Sequence, residues 1–312
     1  MGRKEKQASP SPLGPSKSAS EKSKRKRGSA PVPLSKLEQQ AQAGDGAAAC
    51  ILGDHYRTGD VVSQDWGTAF RWYSRGAALG DRDAQNNLGT MFLGGIGCEP
   101  DKAQAVHWYR KSAEQGKADA QWNLGKRYLH GDGVDQDYAE AYQWFSKAAV
   151  QGYTGASCEI GTMHWLGHGV ERNALAAADF HLIAAEAGDD VACRNLSEYK
   201  AELEDMALFG SQMASLFLSR MHNRGFGAQK SQPLTWGWIS WAKKRCLDDT
   251  DIEIAEEVSA AYHFHHMCIT SENRKHGEKL LADLRAVHKK RAKECGKAQK
   301  HGTRRDHSEE RT

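Results

Sequence analysis

No apolar run in this 312-residue chain approaches the roughly eighteen residues that a bilayer-spanning helix needs, so a membrane-spanning protein is excluded. Among its seven cysteines no CxxC pair occurs. The odd count and the missing pairs argue for reduced thiols in a cytosolic compartment. No phosphate loop, nucleophile elbow or dinucleotide fingerprint is present. Proline is nearly confined to the start, where five of the seven prolines fall within residues 1–34, and that stretch holds no aromatic residue. Such a segment cannot bury enough apolar surface to offset its ordering entropy, and it reads as disordered. No apolar stretch follows its basic start, so it is not a secretory signal. Lys6 stands where a myristoylation signal needs Ser or Thr.

What is present is a charge segregation that the formal total of +3 conceals. Residues 1–34 hold nine Lys/Arg and two Asp/Glu, residues 285–312 hold ten and four, and residues 35–284 hold 24 and 34. The regional sums are +7, +6 and −10. Ordered domains rarely segregate charge that way, so the ends read as tails on an acidic body. Lys22, Lys24, Arg25, Lys26 and Arg27 form a compact basic cluster. That composition fits a nuclear address, a patch for phosphate or nucleic acid, or a solubilising tail.

A repeat dominates the middle. Gly44, Gly80, Gly116, Gly152 and Gly188 are 36 residues apart, as are Ala48, Ala84, Ala120, Ala156 and Ala192. Gly53, Gly89, Gly125 and Gly161 keep the step, and so do Trp72, Trp108, Trp144 and Phe180, each followed by Tyr73, Tyr109, Phe145 or His181. Each unit resolves into two short helices. Ala84, Leu88 and Phe92 share one helix face. Gly94, Gly95 and Gly97 then break the helix, and Asp101 with Gln104 offers a cap for the second helix. The recurring mid-helix glycine, which costs about 1 kcal/mol against Ala, implies a close helix crossing with no room for a Cβ.

The third unit, with Ala120, Leu124-Gly125, Tyr128, Gly131-Asp132-Gly133-Val134, Asp137, Ala141, Trp144-Phe145, Lys147-Ala148-Ala149 and Gln151-Gly152, resembles the Sel-one-like repeat family. That family is a branch of the tetratricopeptide-like α-solenoids. The resemblance covers about residues 41–188; the first unit departs at Val61 and the fourth at Phe180-His181. It implies an all-α, right-handed solenoid of 36-residue two-helix units, and members that act as scaffolds in signalling and complex assembly. A cysteine-rich branch of the family has members resembling penicillin-binding proteins, but no unit here carries a recurring cysteine pair.

Beyond Gly188 the period falters and restarts 22 residues later: Ala214, Leu218, His222, Gly225, Gly227 and Trp238 have the internal spacing of Ala84, Leu88, Phe92, Gly95, Gly97 and Trp108. The expected organisation is a tail over 1–40, four repeats over 41–188, then an inserted helix and a degenerate fifth repeat over 189–250. Within that last stretch the inserted or extended helix falls at 191–205 and the fifth unit at 206–246. Capping helices over 251–294 follow, introduced by Thr250 and Glu253 and continuing into a last helix over about 274–293, and then a basic tail over 295–312. Open repeat arrays need such caps.

Catalytic residues, metal ligands and cofactors are not expected. His263 and His266 could share a helix face, but no further ligand stands at a recognised spacing. His168 falls between Gly167 and Gly169, which breaks the face it would share with His164. The Gly-x-Gly pairs keep the solenoid period and are turn glycines.

Helical repeats bind along the surface lined by their first helices. Positions two, six and nine after the unit alanine point away from the core: Asn86, Thr90 and Leu93; Trp122, Lys126 and Leu129; Cys158, Thr162 and Trp165. They vary between units, as a recognition surface would. An exposed Trp122 beside Lys126 suits a peptide anchor; alternatively Trp122, Leu129 and Trp165 pack between units. The expected protein-binding set is Asn86, Thr90, Trp122, Lys126, Thr162 and Trp165. The expected function is a non-enzymatic adaptor or scaffold binding a protein or peptide segment on the concave face of the solenoid, cytoplasmic or, in a eukaryote, nuclear. The alternative is a nucleic-acid-associated scaffold using the basic tails.

Overall fold

The computed structural model describes residues 33–245, 258, 260–262, 269–283 and 285–286. The described residues are built from α-helices joined by short turns, with no strand among them. α1 is Leu34–Gln42. Four helix pairs of 13 residues per helix follow: α2 Gly46–Thr58 and α3 Trp66–Ala78; α4 Arg82–Gly94 and α5 Lys102–Glu114; α6 Ala118–His130 and α7 Tyr138–Val150; α8 Thr154–Leu166 and α9 Ala174–Glu186. Two short helices, α10 Asp190–Glu198 and α11 Lys200–Phe209, precede a last pair, α12 Gln212–Arg224 and α13 Gln232–Arg245.

The ends of the repeat helices are written locally. Asp65, Asp101, Asp137 and Asn173 precede the second helices in extended conformation, and each side chain accepts from a backbone N–H two or three residues on. This satisfies donors that the first turn leaves without partners. Each first helix ends on a left-handed glycine, such as Gly131 at φ +70°, whose N–H donates to the Arg127 carbonyl. Two residues later the loop presses on the preceding unit: a Cβ on Gly133 would collide with the Lys102 carbonyl. Val61, at the same place in the first unit, is accommodated without positive φ, which no described non-glycine residue adopts.

Packing within a unit rests on a glycine under an aromatic ring. A Cβ on Gly53 would lie 2.6 Å from Tyr73, on Gly89 2.9 Å from Tyr109, on Gly125 2.7 Å from Phe145 and on Gly161 2.7 Å from His181. The crossing inferred from the recurring glycine is therefore a first-helix backbone lying against the second-helix ring. The repeated alanines and leucines fill the rest, with Ala84, Ala120, Ala156 and Leu124 fully buried. Between units a glutamine ladder does similar work. Buried Gln85 and Gln121 donate to the Ala77 and Ala113 carbonyls at the ends of α3 and α5, and accept from Gln115 and Gln151. No local sequence rule announces this arrangement.

Three expectations change. The tail expected through residue 40 ends earlier, because α1 starts at Leu34 and buries Leu37 and Ala41 against Ala48 and Leu52. Leu34 packs against the same cluster and the remaining residues are polar, so α1 caps the open end of the array. In place of one helix over 191–205 there are two, broken at Tyr199. The Tyr199 side chain is buried, with its ring 4.5 Å from that of Trp165, and packing rather than a breaker residue sets the bend. The fifth pair is α12 and α13, so residues 206–209 belong to α11 instead. Ala214, Leu218 and Trp238 are fully buried there, and Gly225 adopts the left-handed terminus.

Residues 271–283 are helical, three residues ahead of the expected start at 274. That helix meets α13 backbone to backbone: a Cβ on Gly277 would collide with the Pro233 carbonyl. Thr250, Ile252, Glu253 and Ala255 lie outside the described residues, as do Leu284, Val287 and the tail over 295–312.

Candidate protein-binding surface

The first helices α2, α4, α6 and α8 form one row, tied by side chains that reach from each to the next. Asn123 Nδ2 donates to Asn86 Oδ1 at 3.1 Å, Lys126 Nζ pairs with Glu159 at 3.3 Å, and Asn195, on α10, donates to Thr162 Oγ1 at 3.2 Å. Asn87, Asn123 and Asn195 occupy one column of the repeat. That recurrence is a legible sign of their role, since one residue type at one step of the repeat marks one recurring contact.

The position six residues after the unit alanine answers to the ring beneath it. Asp54 accepts from the Tyr73 hydroxyl at 2.8 Å, and Thr90 from the Tyr109 hydroxyl at 3.0 Å. Thr162 Oγ1 lies 3.3 Å from His181 Nε2. In the third unit the ring is Phe145, which offers no polar atom. There the position is Lys126, which turns outward to Glu159 and over the Trp122 ring, 5.2 Å from its centroid.

Of the six candidate residues, three are engaged inside the fold. Asn86 is buried and bonded to Asn123. The Thr90 and Thr162 hydroxyls donate to the Asn86 and Cys158 carbonyls four residues back, as well as meeting the second helix. Of the two readings of Trp122, packing between units fits the structure: its ring is half-buried, 5.5 Å from Tyr153, in the seam with the fourth unit. Trp165 is likewise half-buried, between Tyr199 at 4.5 Å and the Arg172 guanidinium at 4.3 Å. Arg172 is held there by a two-pronged ion pair with Glu202, at 3.1 and 2.7 Å. Trp122 and Lys126 are brought together, whereas Trp165 is roofed over.

His181 is the most constrained ionisable group. It is fully buried, with Nδ1 2.6 Å from the Tyr199 hydroxyl and Nε2 3.1 Å from the Cys158 carbonyl oxygen. A carbonyl only accepts, so Nε2 carries the hydrogen and Nδ1 accepts from Tyr199. Burial pushes its pKa down to about 4. Burial, with the charge of Asp189 and Glu159, pushes the Cys158 thiol up to about 12, which keeps it protonated at neutral pH. Cys50 is raised by burial and by Asp54.

Among the described residues no cluster of three His, Cys, Asp or Glu could hold a metal ion. His164 stacks on Phe180 and His168 on Tyr138, so the two point to different rings. His263 and His266 lie outside the described residues, and so do Lys22, Lys24, Arg25, Lys26 and Arg27. No described helix is long and apolar enough to cross a membrane.

The family model described as the Sel1 repeat matches residues 46–81, 82–117, 118–153 and 155–189. Among solved structures, the chain is similar to a protective antigen present in uropathogenic Escherichia coli strains and displaying an SLR fold. The two are 27% identical with a TM-score of 0.53, covering 81% of this chain and 59% of that one. The chain thus spans under two thirds of the antigen's length. A Sel1 repeat protein from Oxalobacter formigenes is 28% identical with a TM-score of 0.49, covering 68% of this chain and 99% of that one. No curated protein matches the sequence. With four successive matches laid over four helix pairs, residues 46–189 of the chain carry four Sel1 repeats, and Sel1 repeat proteins are generally protein-interaction scaffolds.

Proposed function

We propose that this chain is a non-enzymatic adaptor that takes a protein or peptide segment along the row formed by α2, α4, α6 and α8. The observation that carries this reading is the freed Lys126. In a repeat whose other columns hold the same contact in unit after unit, the third unit gives up the ring-to-helix hydrogen bond and presents an ammonium over a half-buried tryptophan. A cation on an indole face beside Glu159 offers apolar, cationic and acceptor groups within one unit. That combination suits a peptide side chain with its backbone. Asn86, Thr90 and Thr162 act as supports for this row, and Trp165 contributes only its uncovered edge.

Photo-crosslinking from a residue placed at 126, with Arg71 on α3 as the control position, tests the reading in cells. Crosslinked partners at 126 that are absent at 71 support it. The same partners at both positions, or partners at 71 alone, defeat it.

The charge segregation favours one alternative, a scaffold whose basic cluster at Lys22–Arg27 binds nucleic acid. Such binding would weaken steeply as salt rises and vanish on deletion of residues 1–34. No gel shift at low salt rejects it.

A further inference from the structure

Far from that row, α13 and the helix over 271–283, with Arg285 and Ala286 beyond it, form a cleft. They touch at Gly237 and Gly277, where a Cβ on Gly237 would lie 3.0 Å from the Gly277 carbonyl oxygen. The gap encloses about 390 Å³, lined by Gly237, Ser240 and Trp241 on one side and by Leu281, Ala282 and Arg285 on the other. That size suits a small molecule. Trp241 is fixed in place, since its Nε1 donates to the Ala207 carbonyl at 2.9 Å, leaving the ring as a rigid wall. The Arg285 guanidinium sits 4.9 Å from the centre of that ring. Ser240 is 8% exposed, and its hydroxyl has no hydrogen-bond partner. Buried hydroxyls are normally bonded, so an unpartnered one lining a cleft points to a missing polar partner.

We propose that this cleft binds a small aromatic carboxylate. The apolar side chains and the Trp241 ring take the flat body, Arg285 takes the anion, and the Ser240 hydroxyl donates to a polar atom of the ligand. The charge choice follows from position. Arg285 opens the stretch 285–312, whose net charge is +6. Glu278, the acidic residue of the lining, stands seven residues earlier in the chain, a separation worth about 10 Å along a helix. An anion at Arg285 therefore does not meet it. The guanidinium already lies against the indole, so a planar acid can stack and pair at once.

Calorimetric titration of the full chain with indole-3-propionate tests this, with indole and tryptamine as the neutral and cationic counterparts. The acid is expected to bind at least 10-fold tighter than either. Arg285→Gln should remove most of that preference. Ala282→Trp, which fills the cleft from an exposed position, should cost at least 10-fold with unchanged helicity by circular dichroism. Ser240→Ala should weaken the acid and leave indole, which has no acceptor for the hydroxyl, unchanged. Equal affinity for acid and indole, no saturable binding of any probe, or binding that Ala282→Trp leaves intact would overturn the proposal. Tightest binding of tryptamine would also overturn it, by assigning the charge preference to Glu278.

Discussion

A single atom decides whether a unit closes. At Gly125 the Cβ of an alanine would sit 2.7 Å from Cε1 of Phe145, a ring that is fully buried. Helix propensity favours Gly125→Ala by about 1 kcal/mol. Overpacking a filled core costs about 1–3 kcal/mol, so the sum is destabilising, opposite to the usual helix-interior trend. Urea denaturation should show a lower midpoint for Gly125→Ala. The loss should shrink in a Phe145→Leu background, giving a coupling above about 0.5 kcal/mol. At His181 the deciding quantity is a proton. Its folded pKa lies near 4, below the ordinary value of 6.5, so the unfolded chain binds more protons between those limits. The stability tied to neutral His181 is complete above pH 6.5 and is lost as pH falls toward 4. The shift corresponds to about 3 kcal/mol. Replacing it with the residue of the third unit, His181→Phe, should flatten the pH dependence in that window. Urea midpoints at pH 7 and 4.5 for both proteins give the comparison; an unchanged slope with pH would show that other groups dominate.

At the scale of the helix, much was legible. The 36-residue columns located eight helices, and Asp65, Asp101, Asp137 and Asn173 marked where second helices begin. Caps are read from sequence because their bonds span two or three residues. Asp137 accepts from the N–H groups of Ala139 and Glu140, at 2.9 and 3.0 Å. Asp137→Ala should therefore cost about 1 kcal/mol and Asp137→Asn much less, measurable as a local rise in amide exchange in the first turn of α7. Partners 18 to 34 residues apart that no repeat column marks were not legible. The Tyr199 bend depends on His181 and Trp165, and the buried state of Trp122 depends on Tyr153 in the next unit. Helical periodicity assigns a side chain to a face of its own helix. It cannot say whether a neighbouring unit covers that face, which is why the sequence leaves Trp122 open between an exposed anchor and a packed seam, and the fold makes it half-buried.

The whole molecule is a line of units in which each contacts mainly its neighbours, so disturbance at one end should stay there. The N-terminal end is closed by α1. Its Leu37 and Ala41 lie in the same cluster as Ala48, Ala49 and Leu52 of α2, with Trp72 of α3 packed against it, and Arg75 of α3 donates to the Ala41 and Gln42 carbonyls. A chain starting at Asp45 loses that cover and exposes an apolar face that the acidic body otherwise keeps from water. Backbone amides of α2 and α3 should then exchange at least 10-fold faster, while those of α7 and α8, three packed helices further on, keep their protection. Hydrogen exchange resolved by peptide distinguishes this from global loss. If protection fell equally in α2 and α8, the array would unfold as one cooperative body, and the nearest-neighbour account of its stability would fail. If α2 stayed protected, closure at this end would come from the repeat itself, and α1 would be an appendage of the basic stretch that precedes it.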